Sequence, residues 1–186
     1  MKGGWSNSTN SKSNGQERAV ERAGPSPAHT RIMQNVEILP GVLALDESDF
    51  KKRLLHPGLN QVANTFHVDV LDGSLFGAKC WADASVVGTW DRLPDIELHC
   101  MVQNPLPIIT AWHQHVPSLQ CVIVHREIGG SLKHVISEVK TMKLELVVAV
   151  NPETPVDEVR GLEIDALLVM GVHPGASGHP FLGESI

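Results

Sequence analysis

The chain contains no tyrosine against 10 histidines, so its polar chemistry falls to imidazole and carboxylate rather than to phenols. Its three cysteines, Cys80, Cys100 and Cys121, are odd in number and far apart. They offer neither a Cys-x-x-Cys zinc pair nor a disulfide framework. A reducing, cytoplasmic setting is expected from that usage. No apolar run is long enough to span a membrane, and the N-terminus has no signal-peptide core. Basic residues are the minority, 15 against 21 acidic, for a net charge of -6. That balance argues against a nucleic-acid-binding surface, which is usually basic. Neither nucleic acid nor membrane is an expected partner.

What remains is a chain of 186 residues, 42% apolar, long enough for one domain with a real core. Residues 1–34 are rich in Ser, Asn, Gly and Pro and show no apolar period. They are expected to be a disordered tail, and 35–186 the folded domain. From Val36 onward, strand-like and helix-like segments alternate. Expected strands are Val36–Leu45 (a strand running into a loop), 65–71, Asp95–Val102, Cys121–His125, Leu144–Val150 and Asp165–Val172. Expected helices are Ser48 to about Val62 (broken at Pro57-Gly58), Ala82–Trp90, Pro105–His115, Ser131–Lys143, and one starting at Thr154-Pro155 with a threonine cap. The apolar strand runs suit a parallel sheet covered on both faces. About six β/α units are present, where a TIM (β/α)8-type barrel has eight. A doubly wound sheet also fits the alternation, but it explains inward polar residues less well.

The polar residues sit where a core strand would carry aliphatics. In Thr65–Gly73, Phe66, Val68 and Val70 share one face, and His67, Asp69 and Leu71 the other. An isolated pair of this kind is more often structural. Adding His99, inward on the next strand, shifts the balance to a metal site. Glu97 shares that face and is a candidate to orient His99, or else simply reaches solvent. His125 reads as a pocket residue behind the ligands. His113 and His115 default to the surface, and His173 and His179 have no clear partner. The cysteines read as buried small hydrophobes.

Five motifs in register carry a resemblance. They are His67-x-Asp69-x-Leu71-Asp72-Gly73; Glu97-x-His99-x-Met101 with Asn104-Pro105; Val124-His125; Asn151-Pro152-x-Thr154-Pro155; and Met170 followed by Pro174-Gly175-Ala176-Ser177-Gly178. Together they resemble the ribulose-phosphate 3-epimerase family, from about Val36 to Ile186. The resemblance implies a barrel of the ribulose-phosphate-binding type. It implies one divalent metal ion, zinc, iron or manganese, and interconversion of ribulose 5-phosphate and xylulose 5-phosphate in the pentose phosphate pathway. It also implies His67, Asp69 and His99 as metal ligands, with Asp69 doubling as an acid–base. The substrate-binding set it implies is His99, Met101, Met170, Gly175, Ala176, Ser177 and Gly178.

Some positions depart from that family. Gly41 stands where it has a serine and Leu71 where it has a methionine, and Ala176-Ser177 makes the last loop less glycine-rich. No Asp-Gly-Gly occurs, so the aspartate of the family's seventh strand, a ligand and second acid–base, has no counterpart. The expectation is a barrel truncated at its C-terminus and impaired in activity, which aggregates, forms a homo-oligomer or is completed by another segment. The competing reading is a catalytically dead relative that keeps a metal or phosphate-ligand site or acts as an interaction module. A phosphate-binding decarboxylase of similar fold is disfavoured, since Phe66–Phe76 has no lysine.

Overall fold

Parallel strands need a crossover between them, and the direction of successive crossovers separates a barrel wall from a doubly wound sheet. In the computed structural model the described residues are 37–175, 178 and 180–183. The expected tail, residues 1–34, lies outside them. So do Ala176, Ser177 and His179. Six parallel strands form one sheet in the order β1-β2-β3-β4-β5-β6. They are β1 (Gly41–Val42), β2 (Thr65–Val70), β3 (Asp95–Cys100), β4 (Leu119–His125), β5 (Glu145–Val150) and β6 (Ala166–Val169). Strand order never reverses, so every crossover returns on the same side. A doubly wound sheet needs a reversal, and none is present among the described residues. The arrangement is a partial TIM barrel of six strands.

The crossovers carry α1 (Glu47–Leu54), α2 (Ala84–Val87), α3 (Leu106–His115), α4 (Leu132–Met142) and a 3-10 turn at Val156–Val159. Asp46 caps α1 by accepting the Asp49 N–H, and Ser131 caps α4 by accepting that of His134. Between helices and sheet lies the main core. Phe66, Val68, Ile96, Leu98, Val122, Val124, Leu146 and Val148 meet Phe50, Leu54, Ile109, Trp112, Val135 and Val139. Burial alternates along β2, with Phe66, Val68 and Val70 buried and Thr65, His67 and Asp69 half-buried. The period-two reading of this strand therefore holds in three dimensions.

Three of the differences from the sequence expectation have a local physical cause. The strand expected over Val36–Leu45 shrinks to Gly41–Val42. Proline has no N–H to give a ladder, and Pro40 takes part only through its carbonyl, which accepts the His67 N–H. The helix expected over Ala82–Trp90 is the single turn Ala84–Val87. It stops at Gly88, where a Cβ would stand 2.1 Å from the His115 carbonyl oxygen, so only glycine lets this turn meet the end of α3. Thr154 caps nothing: the turn after it has no side-chain cap, and the Thr154 hydroxyl donates to Glu127 instead.

Register places the polar residues. His67 pairs with Glu97, and Asp69 with His99. Between β3 and β4 the register slips: Ile96 faces Leu119, but Glu97 faces Cys121. The extra residue, Gln120, is exposed. A bulge of one residue swaps the two faces of everything beyond it. Cys121, Ile123 and His125 consequently join His99 on the inner face.

Candidate metal centre

Parallel pairing sets β2 beside β3, so the inner-face side chains of His67, Asp69 and His99 converge. His67 Nε2 lies 3.2 Å from Asp69 Oδ1 and 3.2 Å from His99 Nδ1, and His99 Nδ1 lies 3.0 Å from Asp69 Oδ1. Two imidazole nitrogens and a carboxylate oxygen thus form a near-equilateral triangle. A tetrahedral cation with bonds of about 2.0–2.1 Å spaces its ligands by about 3.3 Å. The residues therefore fit such an ion. Among the described residues this is the one His, Cys, Asp and Glu cluster with donor atoms close enough to share a metal.

Outer contacts hold the donors in place. Glu97 Oε1 lies 2.6 Å from His67 Nδ1. Glu97 therefore orients a histidine, but it is His67 rather than His99. His99 turns its Nε2 to His125 Nε2 at 2.8 Å. His125 is fully buried and stays off the triangle. Glu127, which the sequence reading missed, lies 3.3 Å from His125 Nδ1. His173 does have a partner, Glu153, at 3.4 Å. His113 and His115 are exposed on α3, as expected.

A cavity of about 380 Å³ opens over the triangle. His67, Asp69, His99, Met101 and Met170 line it with Leu43, Leu168, Gly175 and Gly178. Asp69 is the one carboxylate among these lining residues. Phe76, from the loop after β2, packs edge-on against His125 and lies where a Cβ on Gly175 would touch it. Gly175 itself sits at φ +116°, a backbone that side chains resist.

Charge follows from these contacts. Burial would lower the His67 pKa, but hydrogen bonds to Asp69 and Glu97 outweigh it and raise the pKa to about 9. Burial would raise that of Asp69, and its bonds to His67 and His99 outweigh it, holding the pKa at about 2. Burial lowers His99. Burial and the neighbouring His99 lower His125 to about 4. At neutral pH the metal-free triangle therefore holds one proton in excess, on His67. It stands where a cation would stand. Metal binding must expel it. Zinc titrated calorimetrically at pH 7 in buffers of different ionisation enthalpy is expected to release about one proton per ion, falling toward zero as pH rises past 9. Release that does not change over that pH range would contradict the assignment of the proton to His67.

Residues 37–186 match the sequence model of the Ribulose-phosphate 3 epimerase family. Curated relatives named ribulose-phosphate 3-epimerase include one from Chlamydia trachomatis, 30% identical over 128 residues, covering 67% of this chain and 54% of the relative. One from Chlamydia muridarum is 26% identical over 160 residues, covering 82% and 67%. One from Methanocaldococcus jannaschii is 30% identical over 121 residues, covering 63% and 50%. The chain thus spans about half to two-thirds of the length of these relatives.

Proposed function

The chain belongs to the ribulose-phosphate 3-epimerase family, and on that premise we propose that its folded domain, residues 35–186, is a metal-dependent ketose-phosphate epimerase acting on ribulose 5-phosphate and xylulose 5-phosphate. One observation carries the reading: His67 Nε2, Asp69 Oδ1 and His99 Nδ1 converge within hydrogen-bond distances at the floor of an open cavity. Those three residues would hold zinc, iron or manganese. A divalent cation there supplies Lewis acidity, which polarises a ketone and acidifies the adjoining C–H.

The side chains do the rest. Asp69 is ionised at neutral pH and is the carboxylate that lines the cavity, so it is assigned to take the proton from the carbon beside the ketone. Met101 and Met170 give the substrate an apolar wall that cannot compete for that proton. Gly175, Ala176, Ser177 and Gly178 are assigned to the phosphate, with backbone N–H groups as donors. A cytoplasmic homo-oligomer belongs to the same proposal. No helix among the described residues is long and apolar enough to cross a membrane.

Inversion at carbon needs a second proton carrier on the opposite face of the substrate. The described lining residues provide a single carboxylate, Asp69. That observation favours a second reading, a relative that binds the sugar phosphate and exchanges or merely holds it. Solvent deuterium incorporation at C3 of ribulose 5-phosphate, followed with manganese or zinc present alongside xylulose 5-phosphate formation, separates the two. Incorporation with product is the expected result for the epimerase. Incorporation without product assigns the chain half of the reaction. Neither signal, in a folded metal-loaded sample, would sink the epimerase reading.

A further inference from the structure

His125 and Glu127 stand behind the triangle and belong to none of its corners. The Nε2 of His125 lies 2.8 Å from His99 Nε2, with the two rings 16° from parallel. Its Nδ1 faces Glu127 Oε2 at 3.3 Å. Glu127 is itself held by β5 and the turn beyond: its Oε1 accepts the Asn151 N–H at 2.9 Å and the Thr154 hydroxyl. Phe76 presses on the His125 ring, with centroids 4.8 Å apart.

A neutral imidazole has one N–H and one lone pair, whereas a carboxylate only accepts. The contact between the two Nε2 atoms therefore has one donor and one acceptor. With a cation at the triangle, the far end decides which is which. Glu127 accepts, so His125 must present its N–H at Nδ1. That leaves a lone pair on His125 Nε2, and His99 must then carry its proton on Nε2. The lone pair of His99 falls on Nδ1, 3.0 Å from Asp69 Oδ1 and 3.2 Å from His67 Nε2. That is the nitrogen aimed at the shared point. Without a cation each direction sets one imidazole lone pair against a carboxylate, that of His125 against Glu127 or that of His99 against Asp69, but a cation at the shared point takes up the His99 lone pair and leaves only the direction that satisfies Glu127.

We propose that Glu127, acting through His125, is a positioning residue that fixes His99 in the tautomer able to offer Nδ1 to a divalent metal. The role rests on the metal reading above, and it is read in the His99 tautomer and in zinc affinity. Long-range proton–nitrogen NMR on the zinc-loaded full chain at neutral pH is expected to find the His99 proton on Nε2. In Glu127→Gln the amide can turn its NH2 toward His125 and reverse the chain of donors. His99 is then expected to shift toward the Nδ1-protonated form, and the zinc Kd to rise by about 10–100-fold. Thr154→Val keeps the charge of Glu127 and removes one of its anchoring donors. It should weaken zinc binding in the same direction by less, and it serves if Glu127→Gln does not fold.

Unchanged zinc affinity in a folded Glu127→Gln chain, or a zinc-loaded parent with His99 protonated on Nδ1, would overturn the positioning role while zinc binding by the parent stands. A parent that binds no zinc overturns the metal reading, and the role with it.

Discussion

Replacing Asp69 by Asn is expected to reduce deuterium incorporation at C3 of ribulose 5-phosphate by about 10²–10⁴-fold, the usual contribution of a positioned general base. The amide has the shape of the carboxylate but cannot hold a proton from carbon. Two effects travel with the substitution and have to be separated. Asp69 is one corner of the triangle, so its loss also weakens the metal site. Its hydrogen bond also raises the His67 pKa against burial, so His67 should titrate lower in the variant. Zinc content is therefore measured in the same samples, and exchange is compared at metal saturation. An Asp69→Asn chain that is metal-loaded and still exchanges within tenfold of the parent would remove Asp69 from the role of base. Loss of exchange that returns in full once metal is added in excess would assign Asp69 to holding the ion alone.

The fold was legible where local chemistry and tertiary packing agree. β2 alternates because one face meets Phe50 and Leu54 under the helices while the other faces the cavity. The 3.6-residue period of α4 matches its buried Leu132, Val135, Ile136 and Val139. The convergence of His67 and Asp69 with His99 was legible for the same reason: neighbouring parallel strands bring inner-face residues together once both periods are known. The edge of the sheet was less so, because β1 takes its length from what pairs with it and Pro40 limits that to a short stretch.

Around the triangle the sequence placed His125 behind the ligands but did not show what fixes it there. The run Cys121–His125 reads as continuous apolar sequence, and nothing in it shows that Gln120 is bulged out and swaps the faces of β4. That slip decides whether His125 reaches His99 at all. Glu127 then lies two residues past the strand and is fixed by Asn151 and Thr154, 24 and 27 positions away. Thr154 beside a proline looked like a helix cap on local chemistry alone. A carboxylate within reach, brought by the fold and not by the sequence neighbourhood, takes its hydroxyl instead. Glu97 went to His67 by the same logic: register places it directly beside His67, whereas His99 lies two residues further along Glu97's own strand.

The double variant His67→Ala, His99→Ala is expected to lose bound metal outright. The parent should hold about one divalent ion per chain. Loss should exceed the roughly 100-fold expected from disturbing an outer hydrogen-bond partner, since two of three donors are gone and Asp69 alone remains. Exposed imidazoles also bind zinc, so His113→Ala, His115→Ala on α3 is the matched control: it removes as many histidines and should keep the ion. Folding is the competing explanation. His99→Ala empties a buried site and leaves His125 without its partner, while His67→Ala leaves Glu97 and Asp69 facing one another's charge. The pH dependence distinguishes this stability loss from metal loss. In the metal-free parent, His67 has a pKa raised to about 9, so its stabilising contribution is complete below its ordinary value of 6.5 and disappears as pH rises through about 9. The contribution of Asp69, with its pKa lowered to about 2, is present above 3.8 and disappears as pH falls through about 2. Parent and variant melting temperatures without metal should therefore differ most between those limits and draw together above pH 9. Metal affinity runs the other way, since the parent binds better as His67 gives up its proton. A folded double variant with the metal content of the parent at pH 8 would show that the ion, if one binds, binds elsewhere.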